Sequence, residues 1–346
     1  EFIEARDLER CQLEAKKTWR LLSFDELRPE DRVIPCVCLY SRKADRFKAR
    51  LVVLGNRERG DNSLETFSPT CSPLAVKMAW VEAAATGQVA VGFDISTAFV
   101  NAPITRRCVV ALPPGFHGPK GDNDNNETDK QNRSGSALAL LLKALYGLRT
   151  SPRDWHKCLD EELQRQGWIP CVIEPCFYRK PVPGTDRFLL MLAFVDDGLI
   201  FGPSKIICES ARQAILDVFP GRCVETDRYL GLSITYKPGR FLRIYQPAVE
   251  KLVKNICHQA STPGYVEVRD GGRAEAIDTK YPYRETVGSL LWLQFTRPEL
   301  AKSIQSLSTR LGKNTAADTR ACVRTVKYVN ATKNEALIWT PQLERE

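Results

Sequence analysis

Two adjacent carboxylates, Asp196 and Asp197, stand inside the apolar run LLMLAFVDDGLIFG (189–202). Burying one ionised carboxylate without a partner is costly, and two side by side also repel one another. The apolar flanks suit two buried strands, and Asp-Gly at 197–198 is a two-residue hairpin signal, so the pair is expected at the tip of a tight hairpin. Two acids at such a tip call for cations, and Mg²⁺ with oxygen ligands is the natural choice. Taken alone, the same residues read more readily as a solvated turn. A third carboxylate, Asp94, follows the strand-like run VAVGF (89–93) and precedes ISTAF; alone it reads equally as a cap or turn residue. Facing the pair from a neighbouring strand, it would complete a site for two Mg²⁺ ions about 3.5–4 Å apart, the scheme that activates an attacking hydroxyl and stabilises a leaving phosphate oxygen.

The elements that must position these acids can be read from periodicity and punctuation. VIPCVCLYSRKADRFKARLVVLG (33–55) reads as two strands around a polar turn at 41–46, after a helix and connector over residues 1–35. SPLAVKMAWVEAAATG (72–87) reads as a helix with Pro73 in its first turn and Gly87 past its end. In SPRDWHKCLDEELQRQG (151–167) the sequence predicts a helix with Ser151 as N-cap, Asp154 completing a capping box, and Trp155, Leu159 and Leu163 on one apolar face. Strands near 176–180, 188–195, 228–235 and 241–245, a helix near 204–218 and a helical part over 281–333 follow. The polar stretch HGPKGDNDNNETDKQNRSGS (117–136) reads as a surface insertion. As a calcium loop starting at Asp122 it fails, with Glu127 where Gly is needed and Arg133 where the final Glu belongs, which counts against a calcium-binding module.

Composition bounds the function classes. The 346 residues are too many for a single core and suggest two or three sub-domains. A net charge of +8 is compatible with a polyanionic partner without demanding one. The twelve cysteines form no C-x-x-C pair and there are only three histidines, which argues against a zinc site and for reduced thiols inside a cell. No secretory or membrane-spanning segment is expected, and no P-loop, dinucleotide-binding, H-E-x-x-H or G-x-S-x-G motif occurs.

An ordered set of segments carries more information than any one of them, within a match that extends over about residues 13–340: RFKARLVVLGN (46–56), ETFSPT (65–70), FDISTAFVNAPI (93–104), LPPGF (112–116), LLKALYGLRTSPRDW (141–155), LAFVDDGLIFG (192–202), YLGLSI (229–234) and YRETVGSLLWLQFTRPELA (283–301). With these the chain resembles the reverse transcriptase domain of copia-type LTR retrotransposon polyproteins. The resemblance implies an α+β right-hand polymerase with an antiparallel palm sheet and a helical C-terminal part. Residues 1–88 would form the lead-in and fingers, 89–235 the palm with its insertion, and 236–346 the thumb and the start of a connection. Asp94, Asp196 and Asp197 would be the metal ligands, with Asp196 carrying more of the coordination because adjacent strand residues point to opposite faces. The cofactor would be two Mg²⁺ ions, with Mn²⁺ as an alternative. Phe99 would stack under the incoming sugar and exclude a 2′-hydroxyl, Lys48 and Arg50 would meet the triphosphate, Gly147 would let the backbone approach the template pair or nucleotide, and Leu230 with Gly231 would form a primer grip. Each of these residues also has a plain structural reading, as a core aromatic, a solvated cation or a turn residue. The partners implied are an RNA template, a DNA primer or RNA–DNA hybrid, and dNTPs, in an intracellular, cytoplasmic protein or a virus-like particle, with no membrane.

The chain departs from the family pattern at Phe194, where Tyr is usual, and at Gly198, where a large aliphatic is commoner. Losing the Tyr hydroxyl removes one possible hydrogen bond to the primer and leaves the metal ligands in place. The expectation is an excised domain or fragment of a longer polyprotein, without protease, integrase or ribonuclease H segments. The competing expectation is a decayed or domesticated copy that binds nucleic acid without polymerising.

Overall fold

Short apolar runs bounded by turn residues build most of the strands, and helical spacing builds the layers beside them. A computed structural model describes residues 1–42, 46–58, 64–116, 137–254, 256–266 and 276–340. The acid-rich stretch at 117–136 lies outside the described residues. In chain order the elements are α1 (Phe2–Ala15), β1 (Trp19–Leu21), β2 (Val33–Arg42), β3 (Phe47–Val53), α2 (Pro73–Thr86), β4 (Val89–Ile95), β5 (Val109–Leu112), β6 (Ala137–Leu141), α3 (Ser151–Arg165), β7 (Ile169–Pro170), β8 (Phe177–Pro181), β9 (Phe188–Phe194), β10 (Asp197–Gly202), α4 (Lys205–Val218), β11 (Gly221–Val224), β12 (Arg228–Tyr229), β13 (Leu232–Lys237), β14 (Phe241–Tyr245), α5 (Ala248–Val253), α6 (Tyr283–Leu293), α7 (Ala301–Ser308), α8 (Ala316–Ala331) and β15 (Leu337–Trp339). The strands form sheets ordered β1-β6-β5-β2-β3, β11-β4-β10-β9-β8-β7 and β12-β13-β14-β15. Among the described residues, no helix is long and apolar enough to cross a membrane.

The chain divides into two compact units, one of residues 1–72, 92–200 and 206–224, the other of 73–91, 201–205 and 225–346. In the first, β3 puts Ala49, Leu51 and Val53 into the core at a spacing of two, which leaves Lys48 and Arg50 together on the other face. Leu51 and Val53 join Leu13 of α1, Val110 and Leu112 of β5, and Leu141 of β6 in one core cluster. Glu9 of α1 is buried beneath β3, where its Oε1 accepts from Leu51 N at 3.3 Å, and burial raises its pKa. The parallel β2–β5 pairing is flanked by antiparallel neighbours. The three-residue strand β1, paired with β6, was not expected inside the N-terminal connector; its few residues carry no alternation to read.

The second unit holds α2, the four-stranded sheet and α5–α8. Trp80 of α2 meets Tyr236 edge-on, with ring centroids 5.2 Å apart, and Tyr236 Oη donates to Ala83 O at 2.9 Å. Val287, Leu290, Ile304, Leu307, Val326 and Val329 form the helical core, as the apolar spacing over 281–333 predicts, and Val249 of α5 joins them. Strand β15 pairs with β14 and was not foreseen, because Leu337–Trp339 is too short to show a period. Arg297, 2% exposed, ties this unit together: Nη1 donates to Thr332 O at 3.1 Å, Nη2 to Thr332 Oγ1 at 2.6 Å, and Nε to Glu299 Oε1 at 2.6 Å. Arg297→Ala is expected to cost about 2–4 kcal/mol, the worth of a few charge-assisted bonds plus lost packing. An unchanged urea midpoint would contradict that role.

Candidate active site at the β9–β10 hairpin

The acids are brought together by backbone bonds rather than by their own side chains. Phe93 and Ile95 of β4 are buried, so Asp94 between them points to the opposite, half-buried face. The backbone N–H of Ile95 donates to Asp196 O at 2.8 Å, which pins the β9–β10 turn beside Asp94. The turn itself falls at Val195–Asp196, and Asp197-Gly198 lies in β10, which corrects the expected Asp-Gly turn. Gly198 is there for another reason: a Cβ on it would overlap the ring of Phe93. The cost is moved to Val195, a β-branched residue at φ +57°, where such a residue stores about 1–3 kcal/mol of strain. Trp155 holds it there, its indole Nε1–H donating to Val195 O at 2.7 Å.

The electrostatics show a carboxylate cluster whose negative charge is only partly balanced by nearby cations. Burial raises the pKa of Asp196, Asp94 adds to it, and Arg50 and Lys48 oppose it. Asp197 is pushed up to about 6, first by burial and then by Asp196 and Asp94, with Arg222 opposing. Lys48 and Arg50 therefore lie within electrostatic reach of Asp196, as their shared face on β3 allows. Arg222 on β11 stands directly across the antiparallel pair from Asp94, and its Nε donates to Asp94 Oδ2 at 2.9 Å.

Phe99, half-buried in the short turn after β4, meets Tyr146 edge-on at 5.1 Å, and Tyr146 lies under the Arg50 guanidinium at 5.0 Å. The loop that carries Tyr146 is fixed by Ser151, whose Oγ accepts from Leu145 N at 3.0 Å and donates to Leu145 O at 2.7 Å. Ser151 is thus occupied, Thr150 takes the N-cap position, and the expected capping box with Asp154 does not form. Gly147 sits at φ +88° and a Cβ there would overlap Val53 O, so this glycine is demanded by the approach of the loop to β3. Leu230 and Gly231 lie in the second unit, forming the two-residue turn between β12 and β13 with φ of +48° and +78°.

Sequence reasoning missed Tyr146 and Arg222. The first lay unremarked within the LYGL segment; for the second, no local signal marks a cation that matters only by its register against another strand. As a donor set, Asp94, Asp196 and Asp197 fit a hard divalent cation: all are carboxylates, and a cation would relieve the repulsion that raises Asp197. Among the described residues no three His, Cys, Asp or Glu side chains are already grouped as a metal cage, and Asp94 is engaged by Arg222.

Residues 16–264 match the family model described as reverse transcriptase (RNA-dependent DNA polymerase). The chain is 24% identical to the retrovirus-related Pol polyprotein from transposon TNT 1-94 of Nicotiana tabacum, over 97% of this chain and 26% of that protein. It is 26% identical to the corresponding polyprotein from transposon RE2 of Arabidopsis thaliana, over 89% of this chain and 21% of that protein. The chain thus spans about a quarter of the length of these relatives. A solved foamy viral protease–reverse transcriptase in complex with double-stranded DNA is similar over 94% of this chain and 46% of its own, at 15% identity and a TM-score of 0.49.

Proposed function

Because the chain belongs to the reverse transcriptase (RNA-dependent DNA polymerase) family, as the copia-type resemblance implied, we propose that it extends a DNA primer with deoxynucleotides on an RNA or DNA template. The observation that carries this reading is the Ile95–Asp196 backbone bond, which sets one strand-borne carboxylate beside a hairpin pair. Asp94, Asp196 and Asp197 would hold two Mg²⁺ or Mn²⁺ ions. When bound, such ions activate the primer hydroxyl and neutralise charge on the leaving phosphate. The rest falls to the chain itself. Lys48 and Arg50, on one face of β3, bind the triphosphate as cations facing a polyanion. Phe99, braced by Tyr146, closes the space a 2′-hydroxyl would need. The β12–β13 turn with Leu230 and Gly231 presents backbone to the primer. An RNA·DNA hybrid is grasped by backbone and shape, which makes binding salt-dependent. In these terms residues 1–88 serve as fingers, 89–235 as palm and 236–346 as thumb. Twelve free thiols fit action in the reducing cytoplasm.

Extension of oligo-dT on poly-rA by purified protein with Mg²⁺ tests the reading; tight binding of that hybrid with no incorporation, in Mg²⁺ or Mn²⁺, would overturn it. Phe99→Ala is expected to raise ribonucleotide over deoxynucleotide use by ~10–200-fold, the range that a small steric difference in a pocket supplies. A variant that rejects ribonucleotides as well as the parent does would remove Phe99 from the role.

A further inference from the structure

The pairing of Arg222 with Asp94 is set by strand register and not by the reach of a long side chain. Strands β11 and β4 are antiparallel with Gly221 opposite Ile95, Arg222 opposite Asp94 and Cys223 opposite Phe93, so Arg222 and Asp94 leave the sheet on one face. The backbone N–H of Ser96 donates to Pro220 O at 2.9 Å and closes the end of this pair. Gly221 permits the approach, since a Cβ there would overlap Asp94 O. Across this junction the guanidinium lies on Asp94 Oδ2 and leaves Oδ1 without it.

We infer that Arg222 is a positioning residue that serves Asp94 as a resident counter-charge and yields it when a divalent cation binds, thereby setting the cation affinity of the site. This rests on the reading of Asp94, Asp196 and Asp197 as the cation-binding carboxylates. An isolated buried carboxylate cluster would repel itself in the absence of cations, and a cation fixed by the sheet relieves that repulsion. The pair is also weak enough to be displaced. Arg222 is 66% exposed against 22% for Asp94, and a solvated guanidinium gains little from one carboxylate oxygen, whereas a divalent ion gains from several. The consequence is competition: each cation that binds does so against Arg222, and the site holds ions less tightly than its carboxylates alone would.

Mn²⁺ binding to the purified protein, with no nucleic acid or nucleotide, reads this without recourse to activity, through the paramagnetic resonance signal of free Mn²⁺. Arg222→Gln is expected to lower the half-saturating Mn²⁺ concentration ~2–5-fold, the size of a lost exposed ion-pair competitor, and Arg222→Lys to stay near the parent. Asp94→Asn should weaken binding. Unchanged or weaker binding by Arg222→Gln, with Asp94→Asn still weakened, overturns the role of Arg222 and leaves the carboxylate reading standing. Binding unaffected by either Asp94→Asn or Asp196→Asn overturns both. The melting temperature of each variant confirms a folded protein, which the exposure of Arg222 favours.

Discussion

Asp196→Asn is expected to lower primer extension by ~10³-fold or more while leaving the fold at least as stable as the parent. Asparagine keeps the shape of the side chain and removes its charge. If Asp196 shares in binding the two ions, the loss is several kcal/mol of charge stabilisation at the reacting phosphate, and about 4 kcal/mol already corresponds to ~10³ in rate. The stability arm separates catalysis from folding. Burial and the neighbouring Asp94 raise the Asp196 pKa, so its charged form is disfavoured in the free protein and neutralising it relieves that cost. The backbone bond from Ile95 to Asp196 O does not involve the side chain and should survive. Extension by the variant within about threefold of the parent, a difference of under ~1 kcal/mol, would remove Asp196 from the chemistry. A sharp fall in melting temperature would show that the carboxylate had a structural task instead.

The second large effect is expected at Gly147. Alanine there must place a methyl group against Val53 O and hold φ at +88°, so the loop has to move away from β3. The expected cost is about 3 kcal/mol or more, from the backbone conformation and the overlap together. The displacement would break the bond from Val53 N to Tyr146 O at 2.8 Å and draw Tyr146 away from both Phe99 and Arg50. Gly147→Ala should therefore lower the urea midpoint and also loosen sugar discrimination in whatever folded protein remains. A midpoint equal to that of the parent would show that the loop moves freely, and that its glycine serves something other than packing on β3.

Much of the architecture was legible because it depends on local pattern. The apolar spacing and flanking Pro73 and Gly87 gave α2, the run 204–218 gave α4, and the two apolar runs around a polar turn in 33–55 gave β2 and β3. The strands that local pattern does not mark, β1, β5, β6, β7, β11 and β15, are all short and owe their conformation to the neighbours they pair with. The hairpin at Asp196 was expected as a hairpin, but its turn was placed two residues late. Asp-Gly is a good turn in isolation, yet Gly198 is needed under Phe93, a residue about a hundred positions earlier, and Trp155 stabilises Val195 in a conformation its side chain disfavours. The Ser151 capping box failed for the same kind of reason, since Leu145 had already engaged the hydroxyl.

By itself, then, the sequence determined the α+β composition, the order of the helices except α5, the longer strands, the family to which the chain belongs, and the three carboxylates worth watching. Those follow from periodicity and from short ordered motifs, which are properties of neighbouring residues. Only the tertiary structure decided where the hairpin turns, that Tyr146 links Phe99 to Arg50, and that Arg222 stands across from Asp94. Register and close approach are settled by contacts between segments far apart in the chain, and a one-residue slip of β11 against β4 would send Arg222 to the other face from Asp94.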